Sequence, residues 1–73
     1  MAKRPPITNR VRALREHHGG VSQAALGQAI GVTRQTVIAI EQGRYSPSLE
    51  SAFRIARFFG VKVEDVFGWE EEA

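Results

Sequence analysis

Apolar residues fall three and four positions apart through most of the chain, and the runs break at glycines. That spacing predicts amphipathic helices. The breaks predict their ends, because a residue tolerant of positive φ closes a helix at little cost. Gly19, Gly20, Gly31, Gly43, Gly60 and Gly68 each stand at such a break. Five helices follow. The first runs from about Asn9 to His18 with Val11 and Leu14 inward, after an extended arm set by Pro5-Pro6. Ser22 caps the second, which carries Ala25, Leu26 and Ile30 on one side, and Thr33 caps the third, with Val37 and Ile40 inward. Ser48 caps the fourth, where Leu49, Ala52, Phe53, Ala56 and Phe59 recur at helical spacing. Lys62 to Phe67 forms a short fifth, with Glu64 and Asp65 in the first turn where the helix dipole favours negative charge. No segment alternates as a sheet requires, although Val66–Trp69 can add one short terminal strand.

The segment from Ser22 to Gly43 carries the chemistry. Its two helices are joined by Gly31-Val32, too short a link for antiparallel packing, so they cross steeply. Gly27, in the middle of the second helix, costs that helix about 1 kcal/mol relative to alanine; close packing at the crossing explains it. With Val37 and Ile40 inward, Arg34, Gln35 and Ile38 turn outward together. An arginine fork fits guanine O6 and N7, a glutamine amide fits adenine N6 and N7, and an apolar group fits the thymine methyl. The competing reading of Ile38 is packing against a helix or a second copy. Helix N-termini offer unpaired N–H groups to phosphates. Gln23 can add its side chain there, and Gln42, Arg44 and Tyr45 cluster just past the third helix as further backbone contacts.

Charge sharpens this picture. Residues 1–45 carry Lys3, Arg4, Arg10, Arg12, Arg15, Arg34 and Arg44 against Glu16 and Glu41, a net +5. The remainder carries Arg54, Arg57 and Lys62 against Glu50, Glu64, Asp65, Glu70, Glu71 and Glu72, a net −3. A basic front suits a polyanionic partner, although a solvated surface gives the same count. The apolar run Val37–Ile40 is far too short for a membrane span, so no membrane association and a cytoplasmic location are expected. Without cysteine, neither disulfides nor a thiolate zinc site can support a 73-residue core, which leaves oligomerisation. No cofactor or metal is expected. Asp65 occupies a capping position, and His17 and His18 project about 100° apart instead of sharing a helix face. Catalysis is therefore not expected.

Five segments carry a family pattern in order: R-x-L-R at Arg12 to Arg15, V-S-Q-x-x-L at Val21 to Leu26, I-G-V-T-R-Q-T-V at Ile30 to Val37, I-E-Q-G-R-Y-S-P-S-L at Ile40 to Leu49, and E-D-V-F at Glu64 to Phe67. From Asn9 to Trp69 the chain resembles the Cro/repressor-type (Xre) family of helix-turn-helix regulators. The resemblance implies an all-α fold, a five-helix lambda-repressor-like DNA-binding domain. It further implies base contacts at Arg34 and Gln35, with Thr33, Thr36 and Ile38 nearby, and phosphate contacts at Gln23, Gln42 and Arg44. Arg15 and Glu41 match a pair that forms a structural salt bridge in such proteins. Three features depart from the pattern. Gly19-Gly20 makes the loop one residue longer, Ile38 stands where relatives are commonly small or polar, and Gly27 replaces the more usual alanine.

The expected organisation is an N-terminal arm over residues 1–8, the domain over 9–67 with its helix-turn-helix at 22–43, and a tail at 68–73. Phe58, Val66, Phe67 and Trp69 are the expected dimer contacts, which would set two recognition helices about 34 Å apart on a palindromic operator. The expected partners are thus double-stranded DNA and a second copy. The alternative is an antitoxin-like or adaptor protein whose main role is binding another polypeptide.

Overall fold

Three hydroxyl caps set the helix starts. Ser22 Oγ accepts from the Ala25 N–H at 2.9 Å, Thr33 Oγ1 from Thr36 at 3.1 Å and Ser48 Oγ from Ser51 at 3.1 Å. Each satisfies a donor that the first helical turn leaves unpaired. In the computed structural model, which describes residues 5–71, the order is β1 (Ile7–Asn9), α1 (Val11–His17), α2 (Gln23–Ile30), α3 (Arg34–Glu41), α4 (Leu49–Phe59), α5 (Val63–Val66) and β2 (Phe67–Trp69). Residues 1–4 of the expected arm, including Lys3 and Arg4, and residues 72–73 of the expected tail lie outside the described residues. Gly31 and Gly60 close α2 and α4 at φ +82° and +72°.

The helices enclose a single cluster of Val11, Leu26, Ile30, Val37, Ile40, Ile55, Ala56, Phe59 and Val66, with Leu14, Val21, Val32, Val61, Val63 and Phe67 packed around it. The fold is the expected five-helix, lambda-repressor-like one, with a two-stranded antiparallel sheet added. The sheet pairs Ile7 with Trp69, Thr8 with Gly68 and Asn9 with Phe67. The terminal strand thus takes its partner from the supposed arm, and α1 starts two residues later than expected. Gly68 is no helix stop. It lies in β2, where a Cβ would stand 2.9 Å from Thr8 Oγ1.

Three sets of residues differ from the sequence reading. Ala25 is exposed, because α2 buries Leu26, Gly27 and Ile30 instead. Leu49 and Phe53 are 74% and 51% exposed. The buried stripe of α4 is Ala52, Ile55, Ala56 and Phe59, and these two large side chains sit on its flank. Val66 is 1% exposed and belongs to the core, so it leaves the set of expected dimer contacts; its place at the end of α5 turns it against α1, whose leading Arg10 N–H donates to the Val66 carbonyl. No helix among the described residues is long and apolar enough to cross a membrane.

Candidate nucleic-acid interface

The turn between α2 and α3 lies directly on Gly27. The Val32 N–H returns to the Gly27 carbonyl at 2.9 Å. A Cβ on Gly27 would stand 2.8 Å from Val32 O and 3.2 Å from the Thr33 carbonyl carbon, closer than backbone atoms allow. Its missing side chain therefore sets how closely α3 crosses α2, and Thr33 then caps α3 as it leaves the turn.

Seen from solvent, α3 is a ridge between two concavities. Arg34 and Ile38 border a cleft of about 550 Å³ whose other walls include Arg12 and Glu16 of α1, the cap Ser22 and first residue Gln23 of α2, and Gln42. Gln35, Thr36 and Ala39 border a shallower groove of about 330 Å³ closed by Arg44 and Tyr45. Arg34 and Gln35 are exposed and Ile38 is half-buried, whereas Val37 and Ile40 are in the core. Arg34 and Arg44 make no ion pair among the described residues, so both cations face solvent uncompensated; Arg44 Nε instead donates to Gln42 Oε1 at 2.7 Å. The Thr36 hydroxyl lies 3.0 Å from that of Thr33 and so belongs to the α3 cap.

Beneath the cleft, one ion pair joins three helices. Arg15 donates from Nε to Glu41 Oε2 at 2.6 Å and from Nη2 to Oε1 at 3.1 Å, and its Nη1 donates to the Val21 carbonyl at 2.9 Å. Gln23 Nε2 adds a bond to Glu41 Oε1 at 3.1 Å. The pair is largely shielded, with side chains 13% and 7% exposed. Hydrogen bonding to Glu41 raises the Arg15 pKa against the opposing effect of burial, so the guanidinium stays charged. Because Glu41 is the last residue of α3 and Arg15 lies in α1, the pair clamps the α3 ridge onto the rest of the domain.

A family model described as helix-turn-helix matches residues 11–66. Two similar proteins are each aligned over 66 residues, covering 90% of this chain and 98% of the relative. One is an uncharacterised HTH-type transcriptional regulator of Methanocaldococcus jannaschii, 50% identical, and the other is the HTH-type regulator YgzD of Bacillus subtilis, 55% identical. This chain belongs to the Cro/repressor-type (Xre) helix-turn-helix regulators. A cryptic-phage transcriptional repressor of Vibrio cholerae, RstR, is 32% identical over 60 residues, 82% of this chain and 53% of the repressor.

As an Xre-type regulator, the protein is a DNA-binding one. All the sequence-predicted contacts from Gln23 to Tyr45 border the α3 ridge or its cap. Gln23 also has a second occupation, since its carboxamide is docked on the ion pair. Two residues escaped the sequence reading. Arg12 stands on the far wall of the larger cleft, 3.2 Å from Glu16 in an exposed pair. Its place in R-x-L-R, one turn before Arg15, was the available signal. Asn9 reaches α3 through the interior, and nothing in the local pattern indicated it. Among the described residues, no cluster of His, Cys, Asp or Glu is suited to a metal ion.

Proposed function

We propose that the protein is a cytoplasmic repressor that binds a roughly palindromic operator as a homodimer. The α3 ridge carries this reading. Arg34, Gln35 and Ile38 project from a helix fixed at both ends, and the concavity on either side leaves room for the two sugar-phosphate strands that flank a major groove. Arg34 and Gln35 read base edges, with Ile38 against a thymine methyl. Gln23, Thr33, Thr36, Gln42, Arg44 and Tyr45 hold the backbone and so fix the register. Regulation then follows from occupancy, which excludes polymerase from the site. The repressor name of the Vibrio relative is consistent with this.

The second copy meets the C-terminal half. Phe58 and Trp69 offer exposed aromatic surface there, with Phe67 half-buried against the core, and Leu49 and Phe53 are exposed as well, beside a shallow groove lined by Ala56, Val61 and Val63. Arg57, Lys62 and Glu64 border the same groove. Both signs on one patch suit an isologous contact, in which each side meets its own copy.

Selection of bound duplexes from random DNA tests the proposal. A two-fold-symmetric consensus is expected. Arg34→Ala and Gln35→Ala should each relax one position per half-site, at about 1–3 kcal/mol, while binding to unrelated duplexes stays nearly unchanged. Absence of any consensus, or the same consensus from the doubly substituted protein, would refute the assignment.

A further inference from the structure

The junction of β1 and α1 holds a side chain whose longest-range bond runs to the recognition helix. Asn9 Oδ1 accepts from the Val11 N–H at 3.1 Å, two residues on, and so satisfies the first donor of α1, whose N-cap is Arg10. Its Nδ2 donates to the carbonyl of Ile40 at 2.8 Å, across 31 positions of sequence. The orientation of the amide is fixed by chemistry, since reversing it would set donor against donor and acceptor against acceptor. Ile40 lies in the last turn of α3, where carbonyls have no partner within the helix. The same carbonyl accepts from the Gly43 N–H at 3.0 Å, in the loop that carries Gln42, Arg44 and Tyr45. Asn9 itself is paired with Phe67 across the sheet, and the neighbouring Arg10 N–H donates to the Val66 carbonyl at 2.8 Å.

We propose that Asn9 is a positioning residue for DNA recognition: through the Ile40 carbonyl it fixes the C-terminal end of α3 and ties the pitch of that helix to the β1–β2 sheet. The N-terminal end of α3 is set by the Thr33 cap and the contact at Gly27, and the Arg15–Glu41 pair holds its last residue from the α1 side. Asn9 supplies the remaining constraint, from the side of the strands. Base readout needs side chains held to within about 0.5 Å of their working positions. With that constraint gone, the end of α3 can shift while keeping its charge, and hence its general attraction to phosphate, but the helix loses register. The inference rests on the reading of α3 as the base-reading helix.

Asn9→Ser and Asn9→Asp test it. Both keep an oxygen able to accept from the Val11 N–H, and both lose the amide donor that reaches Ile40, the serine hydroxyl being one bond shorter; only one introduces charge. The measured quantity is the ratio of affinity for the selected operator to affinity for a scrambled duplex at one salt concentration, well below the melting temperature. Both variants should lower that ratio about three- to tenfold, the range expected for one hydrogen bond, while Thr8→Ser leaves it unchanged. Folded Asn9→Ser with the wild-type ratio overturns the proposal, as does an equal loss on both duplexes. Should neither variant fold, exchange of the Asn9 side-chain amide protons in the wild-type protein decides: at least tenfold slower than those of exposed Gln28 is expected, and equal rates overturn it. A wild-type protein that does not distinguish the duplexes removes the base-reading premise, and the proposal with it.

Discussion

Arg15 makes all its hydrogen bonds within the protein, two to Glu41 and one to the Val21 carbonyl. Removing either member of a shielded pair leaves the other charge without compensation, which costs about 3–5 kcal/mol. A chain of this size has about 4–11 kcal/mol of total stability, so Arg15→Ala and Glu41→Ala should each lower the urea midpoint by about a quarter or more. Arg15→Lys should recover little, because an ammonium cannot span both carboxylate oxygens and Val21 together. The arginine side of the pair adds pH dependence only in strong alkali, above the unfolded pKa of arginine. A base whose pKa is raised by folding contributes fully below its unfolded value and loses the contribution only as pH climbs through the higher folded one. The resemblance implied this pair, but residue chemistry alone did not, since 26 positions separate the partners. Gln23 was visible only as a surface amide for the same reason. The bond from the Val11 N–H to Asn9 spans two residues and is a local property, whereas the bond from Asn9 to Ile40 exists only once the chain has folded.

At the scale of elements, legibility follows the range of the interaction that sets each boundary. Ser22, Thr33 and Ser48 act over three residues, so the starts of α2, α3 and α4 were plain from the sequence. The sheet was half legible, because β1 and β2 are three residues each and their pairing joins opposite ends of the chain. Periodicity gives the existence of an apolar face without its centre. Leu49 and Phe53 matched the α4 pattern, yet Ile55 fills the core in their place. The crossing of α2 and α3 is the case in which sequence and structure agree most closely, and it makes a sharp prediction. Helix propensity alone says that Gly27→Ala stabilises by about 1 kcal/mol. The substituted methyl would meet Val32 O at 2.8 Å, and a backbone oxygen in a tight turn cannot rotate away. The outcome expected is therefore a net loss of stability in urea unfolding, together with weaker operator binding as the start of α3 is pushed outward. A stabilised Gly27→Ala protein would mean that the turn yields freely. Thr33→Ala should cost about 1 kcal/mol through the lost cap, measured in the same way.

The whole molecule is longer in one direction, 35 × 22 × 21 Å. Basic residues dominate the first 45 positions of the sequence and acidic ones the remainder. In the proposed assembly the helix-turn-helix faces DNA and the C-terminal half, with Leu49, Phe53 and Trp69 exposed, meets the second copy. Phe53→Ser should raise the dimer dissociation constant in equilibrium sedimentation without lowering the melting temperature of the isolated subunit, because the ring is half exposed and contributes little to the core. On DNA, each phosphate neutralised by a cation releases about 0.9 counterion, so the logarithm of the binding constant falls linearly with that of salt. Wild-type protein on a full operator should then show roughly twice the slope that it shows on a half-site. The spacing of the half-sites separates a joined pair from two independent subunits. Inserting five base pairs at the operator centre rotates one half-site by about half a turn of a 10–10.5 base-pair helix, and inserting ten restores the face but not the distance. A dimer held by the α4 and β2 surface can follow neither change, so both insertions should reduce affinity and salt slope to half-site values. Retention of the full slope with ten extra base pairs would mean that the two subunits are tethered loosely or bind separately. The Leu49, Phe53 and Trp69 surface would then have some other use.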